Sequence, residues 1–276
     1  MGLSIIIPVS RDFRLLDCLK SIDISSEIVV VFNNNPSREL IEASRKDQRV
    51  NPVVVNDIGC NLAKVFNIGI EASSHEYILL VNSDCIFLPG RLNDYFNELR
   101  IHPVVKGHIQ FQSNSLTTRL VAELRFLFHE FFSERKSLFG PGLAFHRSIS
   151  EKIGSYYFDE DMGWGEDGEL SERIYAFGLD VQHLPGYVLS HPPESMRHDL
   201  RVAYKIGYGE WIQHTKKGMK LMKAILTDVT NLFCDKKRRF RIAFLHGGFL
   251  LTAYLLVWKM TAHVGYYKHA FQIGGK

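Results

Sequence analysis

Short apolar segments that alternate with helix-like segments are the feature that most restricts the fold of this 276-residue chain. The apolar segments are residues 5–9, 27–32, 53–55 and 77–81. The helix-like segments between them are residues 14–22, 38–46 and 62–72. Strands without polar alternation are buried on both faces of a sheet, and strands that alternate with helices form parallel βαβ units. The first half of the chain is therefore predicted to form a mostly parallel, doubly wound α/β sheet of the nucleotide-binding type.

The pattern changes after Pro103. Residues 104–112 and 140–146 are predicted to be extended, whereas residues 115–133 and 148–153 are predicted to be helical. This order predicts a mixed sheet suited to a second substrate. From Glu194 the pattern is helical almost to the end, so we expect one domain at residues 1–194 and a helical extension at residues 195–276.

Composition narrows the class of protein. With 46% hydrophobic and 23% charged residues the chain can bury a large core, and a net charge of +3 is too small to predict a nucleic-acid partner. Lys and Arg become denser after Arg197, which predicts a localised anionic partner.

The four cysteines share no CxxC spacing, which argues against a disulfide framework or a zinc site and predicts a reducing, cytosolic compartment. The apolar run at residues 1–8 is too short for a signal peptide and is predicted to be the first strand.

Two groups of carboxylates stand at positions where active sites form. Asp84 follows the apolar segment 77–81 and is predicted to lie at the carboxyl end of a strand, where open α/β sheets bind ligands. Farther along, residues 164–173 read Trp-Gly-Glu-Asp-Gly-Glu-Leu-Ser-Glu-Arg, with carboxylates beside an aromatic residue and two glycines where a helix begins. Together they predict a reaction centre.

An ordered set of motifs resembles glycosyltransferase family 2 over roughly the first 200 residues. The motifs are residues 4–9, 28–34, 67–69, 82–84 and 140–145, then Glu166-Asp167 and His191. The resemblance implies a GT-A fold, a nucleotide-sugar donor, a divalent cation and inversion at the anomeric carbon. It also divides residues 1–194 into a donor half at about 1–102 and an acceptor half at about 103–194.

The resemblance makes Asp84 and His191 the candidate ligands of Mn²⁺ or Mg²⁺. A departing diphosphate needs a hard cation, and carboxylate oxygens are the ligands that such ions prefer. The family pattern is Asp-x-Asp, whereas this chain has Asn82-Ser83-Asp84, so we expect weaker metal binding. The alternatives are a turn or helix-capping role for Asp84 and a backbone-bonded loop histidine for His191.

On the acceptor side, the resemblance assigns the general base to Asp167, with Glu166 in support. A sugar hydroxyl is a weak nucleophile until a base takes its proton, and a carboxylate can do this. Trp164 is predicted to stack on a sugar face rather than fill core, because glycines flank it. The predicted acceptor-binding residues are Gly142, Trp164 and Gly165.

Donor recognition is expected at the loops after the strands. Asn33 stands where members of the resembled family commonly carry an Asp that binds the nucleotide base. A uridine donor is favoured, although an amide at this position can change the base preference. A polar turn and solvated loop positions are the alternative interpretations. No dinucleotide fingerprint or Walker loop occurs, which disfavours NAD and ATP. The predicted donor-binding residues are Pro8, Asn33, Asp57, Asn61, Lys64, Asn82 and Ser83.

The C-terminal extension combines basic and apolar residues. Arg197, Arg201 and Lys205 recur at helical spacing beside an aromatic stripe of Tyr204, Tyr208 and Trp211. Farther on, a basic cluster precedes the apolar stretch 242–260, whose length approaches the ~20 residues of a membrane span. Its glycines, tyrosines and charges favour a helix in the membrane interface, with a buried or dimerising helix and a true span as alternatives. Residues 126–132 are predicted to join this surface or to face the core.

We therefore expect an inverting glycosyltransferase that acts on a hydroxyl of a glycan or lipid-linked glycan in surface polysaccharide or glycoconjugate assembly. It would be cytoplasmic and peripheral on the inner face of the cell membrane, with a homodimer left open. A sugar-phosphate nucleotidyltransferase is less consistent, because residues 8–12 contain no glycine. A catalytically silent scaffold is the other alternative. The replacement of the first carboxylate by Asn82 raises it, whereas the retention of Glu166, Asp167 and His191 argues against it.

Overall fold

The computed structural model describes residues 2–57, 59–132, 138, 140–218 and 221–273, with backbone alone for 221–236, 272 and 273. The chain forms two compact units. The first comprises Met1–Gln110 with Leu138–Pro192, and the second comprises Phe111–Ser137 with Pro193–Lys276.

Strands and helices alternate through the first unit, and long helices form the second. In chain order the elements are β1 (Leu3–Val9), α1 (Leu15–Ser21), β2 (Glu27–Phe32), α2 (Arg38–Ser44), β3 (Val50–Val54), α3 (Leu62–Ala72), β4 (Tyr77–Leu80), β5 (Ile86–Phe87), α4 (Leu92–Leu99), β6 (Val104–Phe111), α5 (Leu116–Glu130), β7 (Leu143–His146), α6 (Ile149–Lys152), α7 (Glu166–Ala176), β8 (Val181–His191), α8 (Met196–Lys216) and α9 (Leu221–Ile273).

The strands form one eight-stranded sheet in the order β3-β2-β1-β4-β7-β6-β8-β5. β1 pairs in parallel with β2 and β4, and β2 pairs in parallel with β3. From β4 onwards the pairing turns antiparallel, as in β4 with β7, β7 with β6, and β8 with β5. The α/β class is confirmed, and the predicted mixed part continues the parallel part within the same sheet.

The core explains why the apolar segments are strands. Every residue of β1 is buried, and Ile6 lies between Val29 of β2 and Leu80 of β4 in the sheet register. Helix α3 covers this sheet through Val65, Phe66 and other apolar residues of the same cluster. Such continuous burial on both faces is what an uninterrupted apolar strand requires.

The second unit has its own core between α5, α8 and α9. Leu124, Ala203, Leu251, Leu255 and Trp258 are among the buried members of this cluster. Buried Asp199 accepts from Nε of Arg125 at 2.7 Å and from the Tyr254 hydroxyl at 2.5 Å, which ties one residue of each helix together. The aromatic stripe predicted beside the basic face of α8 packs inward, as Trp211 stacks edge-on with Tyr266 of α9.

Helix α9 is interrupted within the predicted apolar stretch. Gly247 (φ −135°, ψ 15°) and Gly248 (φ 67°, ψ −155°) leave the helical conformation, so two helical segments meet at a kink. Residues 237–271 are long and apolar enough to cross a membrane by length and composition, and an 18-residue window within them has a mean hydropathy of 1.6. Only 22% of that apolar window is buried.

Candidate active site

A short antiparallel pairing brings Asp84 and His191 together. Asp84 follows β4, and His191 is the last residue of β8. Because Ile86 of β5 pairs with Ser190 of β8, the two side chains lie at the same end of the sheet. Oδ2 of Asp84 is 3.4 Å from Nε2 of His191. The sequence placed both residues at strand ends, and the fold makes them neighbours.

Positive groups surround the Asp84 carboxylate. Oδ2 of Asp84 is also 3.5 Å from a guanidinium nitrogen of Arg14. Burial opposes ionisation, but the hydrogen bond and charge of His191, with the charge of Arg14, hold the pKa of Asp84 below its ordinary value. Nδ1 of His191 lies 2.8 Å from the Pro192 carbonyl, which can only accept, so Nδ1 carries a proton and donates it to this bond. The other ring nitrogen, Nε2, faces Asp84.

The side chains around Asp84 can hold a divalent cation through two of their three candidate ligands. The ligand atoms of Asp84, Cys85 and His191 all lie within 4.8 Å of one another. A carboxylate and an imidazole suit Mn²⁺ or Mg²⁺. Burial raises the pKa of Cys85 well above the ordinary thiol value, so this thiol stays protonated and is a poor ligand for a hard ion. Asp84 and His191 are therefore the residues that could hold the metal.

The two other residues of the 82–84 motif support the turn. The Asn82 carbonyl accepts from the backbone N–H of Cys85 at 3.1 Å and from Sγ of Cys18 at 3.8 Å. The Asn82 side chain is half-buried, and Ser83 is buried. Pro8 lies inside β1, where it pairs with Val31. Donor-binding roles for these residues stay predictions.

Asn33 begins a polar loop after β2. Its N–H donates to the Val9 carbonyl at 2.9 Å, which continues the sheet by one more bond. Its side-chain oxygen accepts from Ser10 at 2.9 Å and from Asn34 at 2.7 Å. Asn33 is buried, so the loop holds this amide in one orientation next to the end of β1.

The next strand-to-helix loop is closed by its own polar residues. Nζ of Lys64 pairs with Asp57 at 2.8 Å. Asn61 caps α3 by accepting from the N–H of Lys64 at 2.9 Å, and it donates to the Glu160 carbonyl at 2.6 Å. Contacts to donor phosphates or ribose stay predictions for these three residues, and Lys64 carries its charge next to a carboxylate.

Asn67 binds the segment that precedes α7. Its Nδ2 donates to the Phe158 carbonyl at 2.9 Å, and its Oδ1 accepts from the Phe158 N–H at 3.1 Å. One side chain therefore satisfies both backbone groups of a loop residue, as a neighbouring strand would. Through this pairing and the Asn61 bond, α3 fixes the loop that leads to Trp164 and Gly165.

The predicted base lies in the first turn of α7. Gly165 caps this helix with a left-handed φ of 83°, a conformation that favours glycine. Oδ2 of Asp167 accepts from the Gly140 N–H at 2.9 Å, and Oδ1 accepts from the Gly168 N–H at 2.8 Å. These two donors fix the plane of the carboxylate. Trp164 is half-buried beside Gly165, and its stacking role stays a prediction.

Burial governs the protonation of the neighbouring carboxylates. It raises the pKa of Glu166 to about 8, and the Asp167 charge adds to this rise. Burial also raises the pKa of Asp167, although the Gly140 and Gly168 N–H groups and the Lys106 charge oppose it. Raised carboxylate pKa values are what a general base working near neutral pH requires.

Gly142 is hydrogen-bonded through its backbone to residues on both sides of it. Its N–H donates to the Leu80 carbonyl at 2.8 Å, and its carbonyl accepts from the Gly107 N–H at 2.8 Å and the Tyr95 hydroxyl at 2.9 Å. Its φ is 86°, and an added Cβ would lie 3.0 Å from both the Gly107 carbonyl oxygen and the Tyr95 hydroxyl. This residue shapes the turn beside Asp167. Contact with an acceptor stays a prediction.

Three residues of the site were missed from the sequence: Arg14, Cys85 and Lys106. Lys106 is almost completely buried in β6, and its Nζ donates to the Pro141 carbonyl at 2.6 Å. The signal was a lysine inside the apolar strand 104–111, where only a partnered ammonium is stable. Arg14 gave no such signal, because an arginine at the start of a helix is common on surfaces.

The sequence pattern of the family described as Glycosyl transferase family 2 matches residues 4–154. The chain belongs to glycosyltransferase family 2. The family membership predicted from the ordered motifs is thereby confirmed, and the protein is a glycosyltransferase. No curated protein is similar to this glycosyltransferase in sequence.

Solved structures of Staphylococcus aureus TarS resemble the glycosyltransferase in fold. A TarS structure has a TM-score of 0.52 at 16% identity, and the match covers 75% of this chain but only 40% of that one. TarS 1-349 in complex with UDP has a TM-score of 0.54 at 14% identity, covering 99% and 92% of the two chains. TarS 1-349 in complex with UDP-GlcNAc has a TM-score of 0.54 at 13% identity. With the family, these neighbours confirm the GT-A type of fold.

Proposed function

We propose that this glycosyltransferase moves a sugar from a nucleotide-sugar donor to a hydroxyl of a glycan or lipid-linked glycan, with inversion at the anomeric carbon. The observation that carries the proposal is the 3.4 Å approach of Asp84 and His191 at the end of the sheet, in a member of family 2. A carboxylate and an imidazole at a ligand-binding edge form a site for the cation of a donor diphosphate.

In the proposed reaction, Asp167 takes the proton of the acceptor hydroxyl while the acceptor oxygen bonds to the anomeric carbon. The bond from that carbon to the diphosphate oxygen breaks, and the nucleoside diphosphate leaves with the bonding electrons. Asp84 and His191 would hold Mn²⁺ or Mg²⁺, and the bound ion would offset the negative charge of the diphosphate. Glu166 lies beside Asp167 in the first turn of α7 and is proposed to support it, and the Asp167 charge adds to the raised pKa of Glu166.

The donor is proposed to be a UDP-sugar. Support comes from the likeness in fold to TarS structures that hold UDP and UDP-GlcNAc. Buried Asn33 is a candidate reader of the base, because an amide can both donate to and accept from a pyrimidine. The other proposed donor contacts follow the loops after the parallel strands: Pro8, Asp57, Asn61, Lys64, Asn82 and Ser83.

The second unit is proposed to bind the inner face of the cell membrane, where a lipid-linked acceptor lies. Phe244, Leu245 and Phe249 of α9 are among its large exposed apolar residues. An open cleft of about 250 Å³ lined by Leu127, Phe131, Ile242, Leu245 and His246 adjoins them. Exposed basic residues Lys237, Arg238 and Arg241 precede this apolar surface. Basic and apolar groups side by side are typical of helices that lie in an anionic membrane interface.

The test is Mn²⁺-dependent release of free nucleotide from a panel of sugar nucleotides, with UDP-GlcNAc first. We expect release from one donor by the wild type and loss of release in Asp84→Ala. The control Asp17→Ala removes an exposed carboxylate of α1 that pairs with Lys20, and it should behave as wild type. Equal release by Asp84→Ala would overturn the proposed metal site.

The second candidate function is a catalytically silent scaffold, favoured by the presence of Asn82 where the family motif has a carboxylate. It predicts neither nucleotide release nor transfer, and no calorimetric binding of any donor in the presence of Mn²⁺. Donor binding that depends on Asp84 would exclude it.

A further inference from the structure

Lys106 is a charged residue in the interior of the first unit. It lies in β6 between the buried residues Val105 and Gly107, and its side chain is 2% exposed. Burial of an ammonium group is unfavourable by several kcal/mol unless hydrogen bonds and opposite charges compensate it. A lysine at this position therefore needs partners that use its charge.

One hydrogen-bond partner of its Nζ, the Pro141 carbonyl, belongs to a turn that is held at each of its three residues. The Gly140 N–H donates to Oδ2 of Asp167 at 2.9 Å. The Pro141 carbonyl accepts from Nζ of Lys106 at 2.6 Å. The Gly142 carbonyl accepts from the hydroxyl of fully buried Tyr95 at 2.9 Å. Lys106 and Asp167 are thus connected through two successive residues of one turn.

The charge of Lys106 acts on the proposed base. Burial raises the pKa of Asp167, and the charge of buried Lys106 opposes that rise. Within α7, the Asp167 charge adds to the raised pKa of Glu166, whereas Glu169 of the same helix pairs with Arg173 at 2.6 Å.

We propose that Lys106 is a positioning residue for the general base. It fixes the 140–142 turn against β6, and its buried ammonium offsets the charge of the Asp167 carboxylate that the same turn binds, so that Asp167 remains an ionised proton acceptor. This proposal rests on the proposed role of Asp167 in transfer. Lys106 is buried beneath the turn and affects the transfer reaction through Asp167.

Tyr95 offers a matched comparison, because it holds the same turn without a charge. Lys106→Gln removes the charge and keeps a donor, Lys106→Arg keeps the charge, and Tyr95→Phe removes one neutral hydrogen bond to the turn. Folding of each variant is checked by circular dichroism and thermal unfolding. A residue that only stabilised the turn would make the first and third variants behave alike.

The decisive measurement is the titration of the Asp167 carboxyl by ¹³C NMR in protein labelled at aspartate Cγ, with the signal assigned by its loss in Asp167→Asn. We expect Lys106→Gln to raise the pKa of Asp167 by about 1, as loss of a nearby opposite charge does. Tyr95→Phe and Lys106→Arg should leave it within a few tenths. In nucleotide release, the acid limb of the pH profile should move to higher pH in Lys106→Gln alone.

An unchanged Asp167 titration in folded Lys106→Gln overturns the proposal, and so does an equal shift in Tyr95→Phe. If Lys106→Gln does not fold, the proposal is tested with Lys106→Arg. An unchanged pKa of Asp167 together with unchanged nucleotide release in this variant supports the proposal, and a pKa of Asp167 raised by about 1 overturns it. The NMR titration needs no turnover. Failure of Asp167 as the base would appear separately, as full transfer activity in Asp167→Asn.

Discussion

Oδ2 of Asp84 contacts two basic groups at once, Nε2 of His191 at 3.4 Å and the Arg14 guanidinium at 3.5 Å. One of these is a possible metal ligand, and the other is a cation that a metal would have to compete with. The carboxylate is thus kept ionised before any metal arrives. This arrangement suits a site in which Asn82 supplies no second carboxylate.

Loss of His191 should weaken manganese binding. We expect His191→Ala to raise the dissociation constant of Mn²⁺ at least about tenfold, because one of the two suitable ligands is lost. Free Mn²⁺ measured by electron paramagnetic resonance gives this constant without turnover. His198→Ala is the control, since His198 is exposed on α8. Unchanged affinity in His191→Ala would remove this residue from the metal site.

Replacement of Asp167 should abolish transfer while sparing donor binding. Asp167→Asn keeps the size of the side chain but cannot accept a proton, so we expect transfer to fall on the order of 10²–10⁴-fold. The donor dissociation constant, from calorimetry with UDP-GlcNAc, should change less than about threefold. Glu172→Gln removes an exposed carboxylate of the same helix and serves as the control. Transfer within a few-fold of wild type would show that another group takes the proton.

Glu166 should make stability depend on pH. Its pKa rises from 4.5 to about 8 on folding, so the folded state binds this proton more tightly than the unfolded state. The stabilisation is fully present below pH 4.5 and is lost as pH rises through about 8. Relative to wild type, Glu166→Gln should therefore gain several degrees in Tm between pH 5 and pH 9, measured by Trp fluorescence. Parallel Tm curves for the two proteins would contradict the raised pKa.

Gly142→Ala should destabilise the first unit by about 1–3 kcal/mol in urea unfolding. The left-handed φ disfavours any side chain, and the new methyl group would crowd the Gly107 carbonyl and Tyr95. Gly178→Ala separates these two effects, because Gly178 has a φ of 68° with nothing within 4 Å of an added Cβ. If both variants lose the same stability, crowding at Gly142 has no effect.

The exposed apolar residues of α9 should be needed for membrane binding. We expect the full chain to float with liposomes that contain anionic lipid. The double variant Phe244→Ser with Phe249→Ser should reduce the bound fraction several-fold, because it removes two exposed aromatic side chains that would enter the membrane. Ile101→Ser is the control, since Ile101 is 74% exposed in the first unit. Equal flotation of all three proteins would locate the contact elsewhere.

β1, β2 and β4 were predictable because burial on both faces leaves few polar positions in them. β3 lies at the sheet edge and is only partly buried, so only its apolar end at Val53 and Val54 was predictable. β5 was not, since it has only two residues and exists through its pairing with β8. Helix α4 was missed for a different reason: Leu92, Tyr95 and Leu99 are its buried residues, and the polar residues between them hide the periodicity.

The site was predictable one residue at a time, but its geometry was not. A sequence pattern can place Asp84 and His191 at the ends of strands, whereas their approach depends on pairing between residues distant in the chain. Lys106 was missed because a single lysine in a strand usually faces solvent. Its burial follows from the 140–142 turn, which is assembled only when β6 and β7 pair.

Helix α3 sets the spacing between two anchors of the loop that leads to the proposed base. Asn61 at its start and Asn67 in its second turn both hold the loop that leads to the base. At 1.5 Å per residue, these two anchors are about 9 Å apart along the axis, a length set by helical geometry alone. The loop that leads to Asp167 is therefore held at two points whose spacing does not depend on the length of the surface loops that connect α3 to it.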